Sequence, residues 1–202
     1  MEQSSAWDRA MKAFAEDKRF WSPPHFEIRR MEIAAYICPV ENRRVGNPQP
    51  ENVVAAFSHY LGVSGKTTTD GLLYANSRVR IGDIIDGTSF TLMVGERPPS
   101  TDERFGWWYA GVGQQLDGSA DSHMSVLEVN RTFRAPTCPP GPYRFSRGNA
   151  TNDCDMFHFW SLHAGGAHFL FADGSVRFLT YTGESIMPAL ATRAGQEVVE
   201  VQ

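Results

Sequence analysis

The sequence predicts an α+β fold, a twisted antiparallel sheet with flanking helices, and three observations carry that expectation. A helical pattern opens the chain, short β-branched and aromatic runs broken at Gly, Asn and Asp-Gly follow from Val53, and a strong hairpin signal lies near the C-terminus. At 202 residues, 42% hydrophobic and 21% charged, the chain fits one globular domain over 1–202 and not a disordered, collagen-like or coiled-coil sequence.

Ser5 can cap a first helix that carries Trp7, Met11 and Phe14 on one stripe. That helix is expected to stop before Ser22-Pro23-Pro24, because proline pushes the residue before it out of the helical region. Phe26 to Ile37 reads as a helical turn leading into a strand that ends at Cys38-Pro39, and Glu41 to Glu51 as a loop. Candidate strands are Val53 to Leu61, Val79 to Ile81, Phe90 to Val94, Trp107 to Ala110, Ala167 to Ala172 and Ser175 to Tyr181. Gly113 to Asn152 has few strand signals and reads as a long functional or interaction loop.

The strongest local expectation is a hairpin from His168 to Leu179 about Asp173-Gly174, a dipeptide suited to the two positive-φ positions of a type I′ turn. A two-residue turn pairs Phe171 with Val176 and Phe169 with Phe178, so those four side chains should share the core face. His168, Leu170, Arg177 and Leu179 would then form the opposite, partly polar and partly covered face. Beyond it, Ser185 can cap a helix with Pro188 in its first turn, and Gly195 supplies a left-handed stop.

Several function classes are excluded early. The formal charge is −4 and no basic run exceeds two residues, which speaks against nucleic-acid binding. The apolar runs fall far short of the ~20 residues that cross a bilayer. Three cysteines are too few for a disulfide-framework miniprotein and form no CxxC pair. Cys138 and Cys154 bracket a Pro/Gly/Asn-rich segment and are expected to be bridged, with two separate thiols as the alternative. A bridge implies an oxidising compartment.

Two segments concentrate groups able to do chemistry. His158, His163 and His168 at five-residue spacing, with Asp173 beyond, could ligate a metal, but neither helix nor strand periodicity converges them, and a structural role for His163 at the Gly165-Gly166 corner is preferred. Asp83, Asp86 and Glu96, with Gly87 in the turn, could offer oxygens to calcium, yet the alternating acidic pattern of an EF-hand is missing. A capped turn feeding a buried strand explains the same residues, with Glu96 closing a hydrogen-bond network. No G-x-S-x-G frames a serine nucleophile. Of Trp107-Trp108-Tyr109, at most one tryptophan is expected to be free to stack on a sugar.

His163, nine intervening residues and then Asp173-Gly174 make an H-x9-D-G signature. With Tyr36-Ile37-Cys38-Pro39, Ser58-x-Tyr60, IGDIIDGTSFTLMVGE, CDMFHFWSLHAGG and PALATRAGQEVV in the same order, the chain resembles a large bacterial family of uncharacterised proteins with a prepilin-like N-terminus. The resemblance implies an extracytoplasmic, pseudopilin-like protein whose globular head carries long insertions. The apolar helix of roughly 25 residues expected upstream is absent from this chain, so membrane attachment is expected only through it.

The expected role is therefore a non-catalytic structural or interaction protein at the cell surface or in the periplasm. Its expected partners are other pilin-like or cell-surface proteins or further copies of itself, and no cofactor is expected, calcium being the alternative. The competing readings are a metal-dependent hydrolase using His158, His163, His168 and Asp173, and a glycan- or solute-binding module around Trp107 to Tyr109.

Overall fold

The computed structural model describes residues 4–48, 53–109, 113–131 and 135–197. The expected features at residues 1–3, at 49–51, at Ala110 and at 198–199 lie outside these.

Helix α1, Ser4–Glu16, is amphipathic, but it buries a different stripe from the expected one. Ala6 packs, with Ala10 and Phe14, against Ile28 and Tyr109, and Ala13 is buried, while Trp7 and Met11 are 67% and 49% exposed. Positions 6, 10, 13 and 14 make as good a helical stripe as 7, 11 and 14, and alanines let the helix lie close to the rings beneath. Fully buried His25 locks this layer, with Nδ1 2.7 Å from the Tyr109 hydroxyl and Nε2 2.7 Å from the Asp17 carbonyl. A short helix α2, Phe26–Arg29, follows. The strand expected to end at Cys38 does not form, because a 3-10 turn at Ala34–Tyr36 intervenes and the Cys38 N–H is taken by the His59 ring, at 2.9 Å.

Strands β1 (Val45–Gly46) and β2 (Ala55–Ala56) make a two-stranded ribbon. The main sheet holds β3 (Tyr60–Gly65), β4 (Leu92–Glu96), β5 (His123–Ser125), β6 (Gly166–Phe171) and β7 (Val176–Thr180), in the order β5-β3-β4-β6-β7. All its pairings are antiparallel except β3 with β5. The expected strand from Val53 to Leu61 is thus divided between β2 and β3. Val79 to Ile81 is not a strand, Ile81 opening a 3-10 turn, and Trp107 makes only an isolated bridge to Phe57.

The hairpin forms, one residue out of the expected register. His168 pairs with Phe178, Phe169 with Arg177 and Leu170 with Val176. Its loop is three residues, not two: the Gly174 N–H returns to the Phe171 carbonyl, Phe171 donates to Ser175, and Gly174 alone takes positive φ, +85°. This is a turn followed by a left-handed glycine bulge. Asp173 keeps negative φ because its carboxylate accepts from the Ser175 N–H (2.9 Å) and hydroxyl (2.6 Å). A one-residue slip exchanges the faces of a strand. Val176 and Phe178 therefore point away from the core and are 64% and 41% exposed. Leu179 packs on the core, and the Arg177 guanidinium lies 4.2 Å from the Phe171 ring centre.

The core sits on one face of the sheet, where Leu61, Val63, Leu92, Phe169 and Phe171 meet Phe145, Phe159 and helix α3, Met187–Ala191. Gly95 is needed on that face, since a Cβ there would lie 2.4 Å from the Phe169 ring and 2.7 Å from Phe159. Ser185 does not cap α3; it lies inside a 3-10 turn, Tyr181–Ile186, that runs directly into the helix. Nor is Gly195 the left-handed stop: Thr192 leaves the helix extended, and Gln196 has φ +56°. Cys138 and Cys154 are bridged, their Cα atoms 5.4 Å apart, which in the chain-entropy view stabilises the fold by roughly 3 kcal/mol. No described helix is long and apolar enough to cross a membrane.

Candidate functional site

The face of the sheet opposite the core carries Tyr60 and Gly62 from β3, Val94 and Glu96 from β4, and Leu170 from β6. Strand alternation explains the residues from β3 and β6. It fails in β4, where Leu92 is in the core and Val94 and Glu96 share the other face. The pairing of β4 with β6 shifts between Leu92 and Val94, and that irregularity re-aims the end of the strand.

These side chains floor a cleft of about 720 Å³, walled by Tyr36, Trp107 and Trp108 and reaching Val176 at its far side. Both tryptophans border it, but Trp107 is 7% exposed and packs with Ala55 and Phe57, so Trp108 is the one with ring surface left open, in keeping with the expectation of at most one. Their indole N–H groups are satisfied by the Glu103 carbonyl (2.9 Å) and the Met31 carbonyl (2.7 Å), so apolar ring surface is what remains for the cleft. Tyr109 is not part of it and packs under α1. A concave, mostly apolar surface with a few convergent polar groups is the usual form of a small-molecule site.

The polar groups converge at Glu96, which is 2% exposed. Its Oε2 accepts from the His168 backbone N–H at 2.6 Å and lies 3.2 Å from His168 Nδ1. Its Oε1 lies 3.3 Å from His163 Nε2 and accepts from the Cys38 thiol at 3.3 Å. Cys38 Sγ and His163 Nε2 are 3.5 Å apart, and the two imidazoles meet edge to face at 4.8 Å. Burial pushes the Cys38 thiol up, and the neighbouring Glu96 carboxylate pushes it further. Burial also raises the Tyr60 phenol, with Cys38 and Glu96 adding to it, to about 12.

The expected site residues are divided. Glu96 does close a buried network, and it receives His163 and His168. His158 is elsewhere, with Nε2 3.1 Å from Asp155 Oδ1; burial raises the Asp155 carboxyl, but His158, the Asn149 N–H and the Asn152 amide together hold it below its usual range. Asp173 holds the hairpin turn, 3.5 Å from Arg177. The four-residue hydrolase cluster is therefore not assembled. Among the described residues, the group close enough to share a metal ion is Cys38, Glu96 and His163.

The acidic segment is likewise dispersed. Asp83 accepts from the Arg80 N–H at 2.8 Å and caps its turn. Asp86 accepts from the backbone of Gly195 (2.7 Å) and Gln196 (2.8 Å), and Gly87 has φ +93° beside it. At the corner, Gly165 has φ +86° and Gly166 lies so close to the Leu179 carbonyl that a Cβ would be 2.0 Å from it. Ser161 fixes that corner by donating to the Gly166 carbonyl (2.8 Å) and accepting from the His163 N–H (3.1 Å).

Cys38 was missed as a site residue. The available signal was arithmetic: with 138 and 154 paired, one cysteine is left over, and such a residue is worth following. Tyr60 and Ser58, two apart and both at the cleft, were legible as parts of a strand and of the Ser58-x-Tyr60 motif, not as site residues.

No curated protein and no solved structure matches the chain. A family model described as Protein of unknown function (DUF1559) matches residues 1–185, and the chain belongs to that family.

Proposed function

We propose that the protein is a non-catalytic, extracytoplasmic binding module of pilin-like type, which holds a small solute with an apolar body in the cleft between the sheet and Trp107-Trp108. The observation that carries this reading is the cleft itself: about 720 Å³ of concave, aromatic-walled surface with polar groups gathered near Glu96. A cleft of that size can enclose most of a small molecule. The Cys138–Cys154 bridge supports export, since disulfides persist in oxidising compartments. The non-catalytic part is supported by Ser161, His158 and Asp173, which each hold a turn or corner of the fold, and by the Glu96 carboxylate 3.3 Å from the Cys38 sulfur, which opposes a thiolate beside His163.

Nile red, a neutral apolar dye that brightens out of water, is the probe that tests this. The wild-type chain should bind it saturably with a blue shift. Val176→Trp should abolish binding with an unchanged melting temperature, because residue 176 lines the cleft yet is 64% exposed. Dye binding that survives Val176→Trp, or that never saturates, would overturn the reading.

A further inference from the structure

The Cys38, Glu96 and His163 constellation goes beyond the cleft reading and does not depend on it. Three donors of different chemistry, thiol, carboxylate and imidazole, come from three distant parts of the chain and point at one another. Their separations are 3.5 Å for sulfur to nitrogen, 3.3 Å for sulfur to oxygen and 3.3 Å for nitrogen to oxygen. A tetrahedral zinc ion, with bonds of about 2.3 Å to sulfur and about 2.0–2.1 Å to nitrogen and oxygen, sets its donor atoms about 3.3–3.6 Å apart. The sulfur–nitrogen and nitrogen–oxygen edges match that tetrahedron, and the sulfur–oxygen edge is within about 0.3 Å of it.

We propose that Cys38 Sγ, Glu96 Oε1 and His163 Nε2 bind a divalent transition-metal ion of the zinc type. Three protein donors leave the fourth vertex for water or for a donor atom of a solute, and Glu96 and His163 both line the cleft. Binding takes the Cys38 thiol to its thiolate, the sulfur–metal bond forming as the proton passes to solvent. The second carboxylate oxygen is already occupied by the His168 N–H and imidazole, which orients Glu96 as outer-shell partners orient metal-bound carboxylates.

Two alternative uses of the same residues fit less well. A cysteine nucleophile paired with His163 needs a thiolate, and a buried carboxylate 3.3 Å from the sulfur opposes that charge unless a cation is present. A purely structural thiol–carboxylate–imidazole network needs no cysteine, since serine would bond better to both neighbours. A free cysteine buried in a chain whose other two are bridged is accounted for by ligation.

Cobalt(II) is the probe. Titrated into the metal-free, disulfide-intact protein, it should give a thiolate-to-cobalt charge-transfer band and the strong visible bands of tetrahedral cobalt, both saturating at one ion per chain. The charge-transfer band can arise only from Cys38, because the other two cysteines are bridged. Zinc should bleach the spectrum. Cys38→Ser should remove the charge-transfer band, and His163→Ala should weaken cobalt binding by at least about a hundredfold. Val176→Trp should leave the cobalt spectrum intact even while it blocks dye, so the two readings can fail separately. Cobalt binding without the thiolate band in the wild-type chain, or no binding near one equivalent, would overturn the metal site whatever the variants do.

Discussion

Val176→Lys measures the hairpin register directly. In the observed pairing Val176 faces away from the core, opposite Leu170, and is 64% exposed. Only about a third of its surface is buried, so the substitution forfeits roughly a third of the ~1.5–3 kcal/mol that full burial of a valine provides. β7 is an edge strand, where lysine is well tolerated. The expected cost is about 1 kcal/mol, a fall in melting temperature of about 2–4 °C for a chain of this size. A two-residue turn would instead place residue 176 beside Phe171 in the core, and an unpaired buried ammonium costs about 3–5 kcal/mol. Melting followed by far-ultraviolet circular dichroism distinguishes the two. A fall beyond about 6 °C would refute the three-residue loop and the face assignments that follow from it.

Three further expectations rest on separate features. Gly174→Val should destabilise the fold by about 1 kcal/mol or more, since a branched side chain is forced to φ +85°, and an unchanged melting temperature would contradict the left-handed position. The Ser175 hydroxyl and N–H hold the Asp173 carboxyl at about 2, below its ordinary 3.8; its contribution to the turn is therefore fully present above about pH 4 and lost as pH falls through 2, so the Asp173 carboxyl resonance should titrate near 2. Denatured, non-reduced protein should show a single free thiol, while in the native metal-free state buried Cys38 should label slowly; three thiols would sink the bridge and the argument for export.

What could be read from the sequence was local. Asp173-Gly174 marked the hairpin, and Cys138 and Cys154 marked the bridge, because a turn and a loop closure depend on residues near one another. The register was off by one because Asp-Gly suits both a two-residue turn and a turn with a glycine bulge, and the bonds from Ser175 to Asp173 decide between them. Strand β5 carries no alternation and pairs in parallel with β3, so only tertiary contact reveals it. The site was half legible: His163, His168 and Glu96 were singled out, but their meeting needs β4 to shift register after Leu92 and the Gly165-Gly166 corner to swing His163 over the strand end. Cys38 arrives from 125 residues before His163, and the Tyr36-Ile37-Cys38-Pro39 motif that contains it carries nothing that ties it to His163.

The central claim is that the outer sheet face is a ligand-binding cleft, and the indole N–H resonances of the five tryptophans report on it most directly. Titration with Nile red should move the signals of Trp107 and Trp108, which line the cleft, and leave Trp160 in place, since it is buried and bonded to the Asp155 carbonyl at 2.9 Å. Movement confined to Trp7 and Trp21, the exposed indoles of the helical layer, would contradict the account.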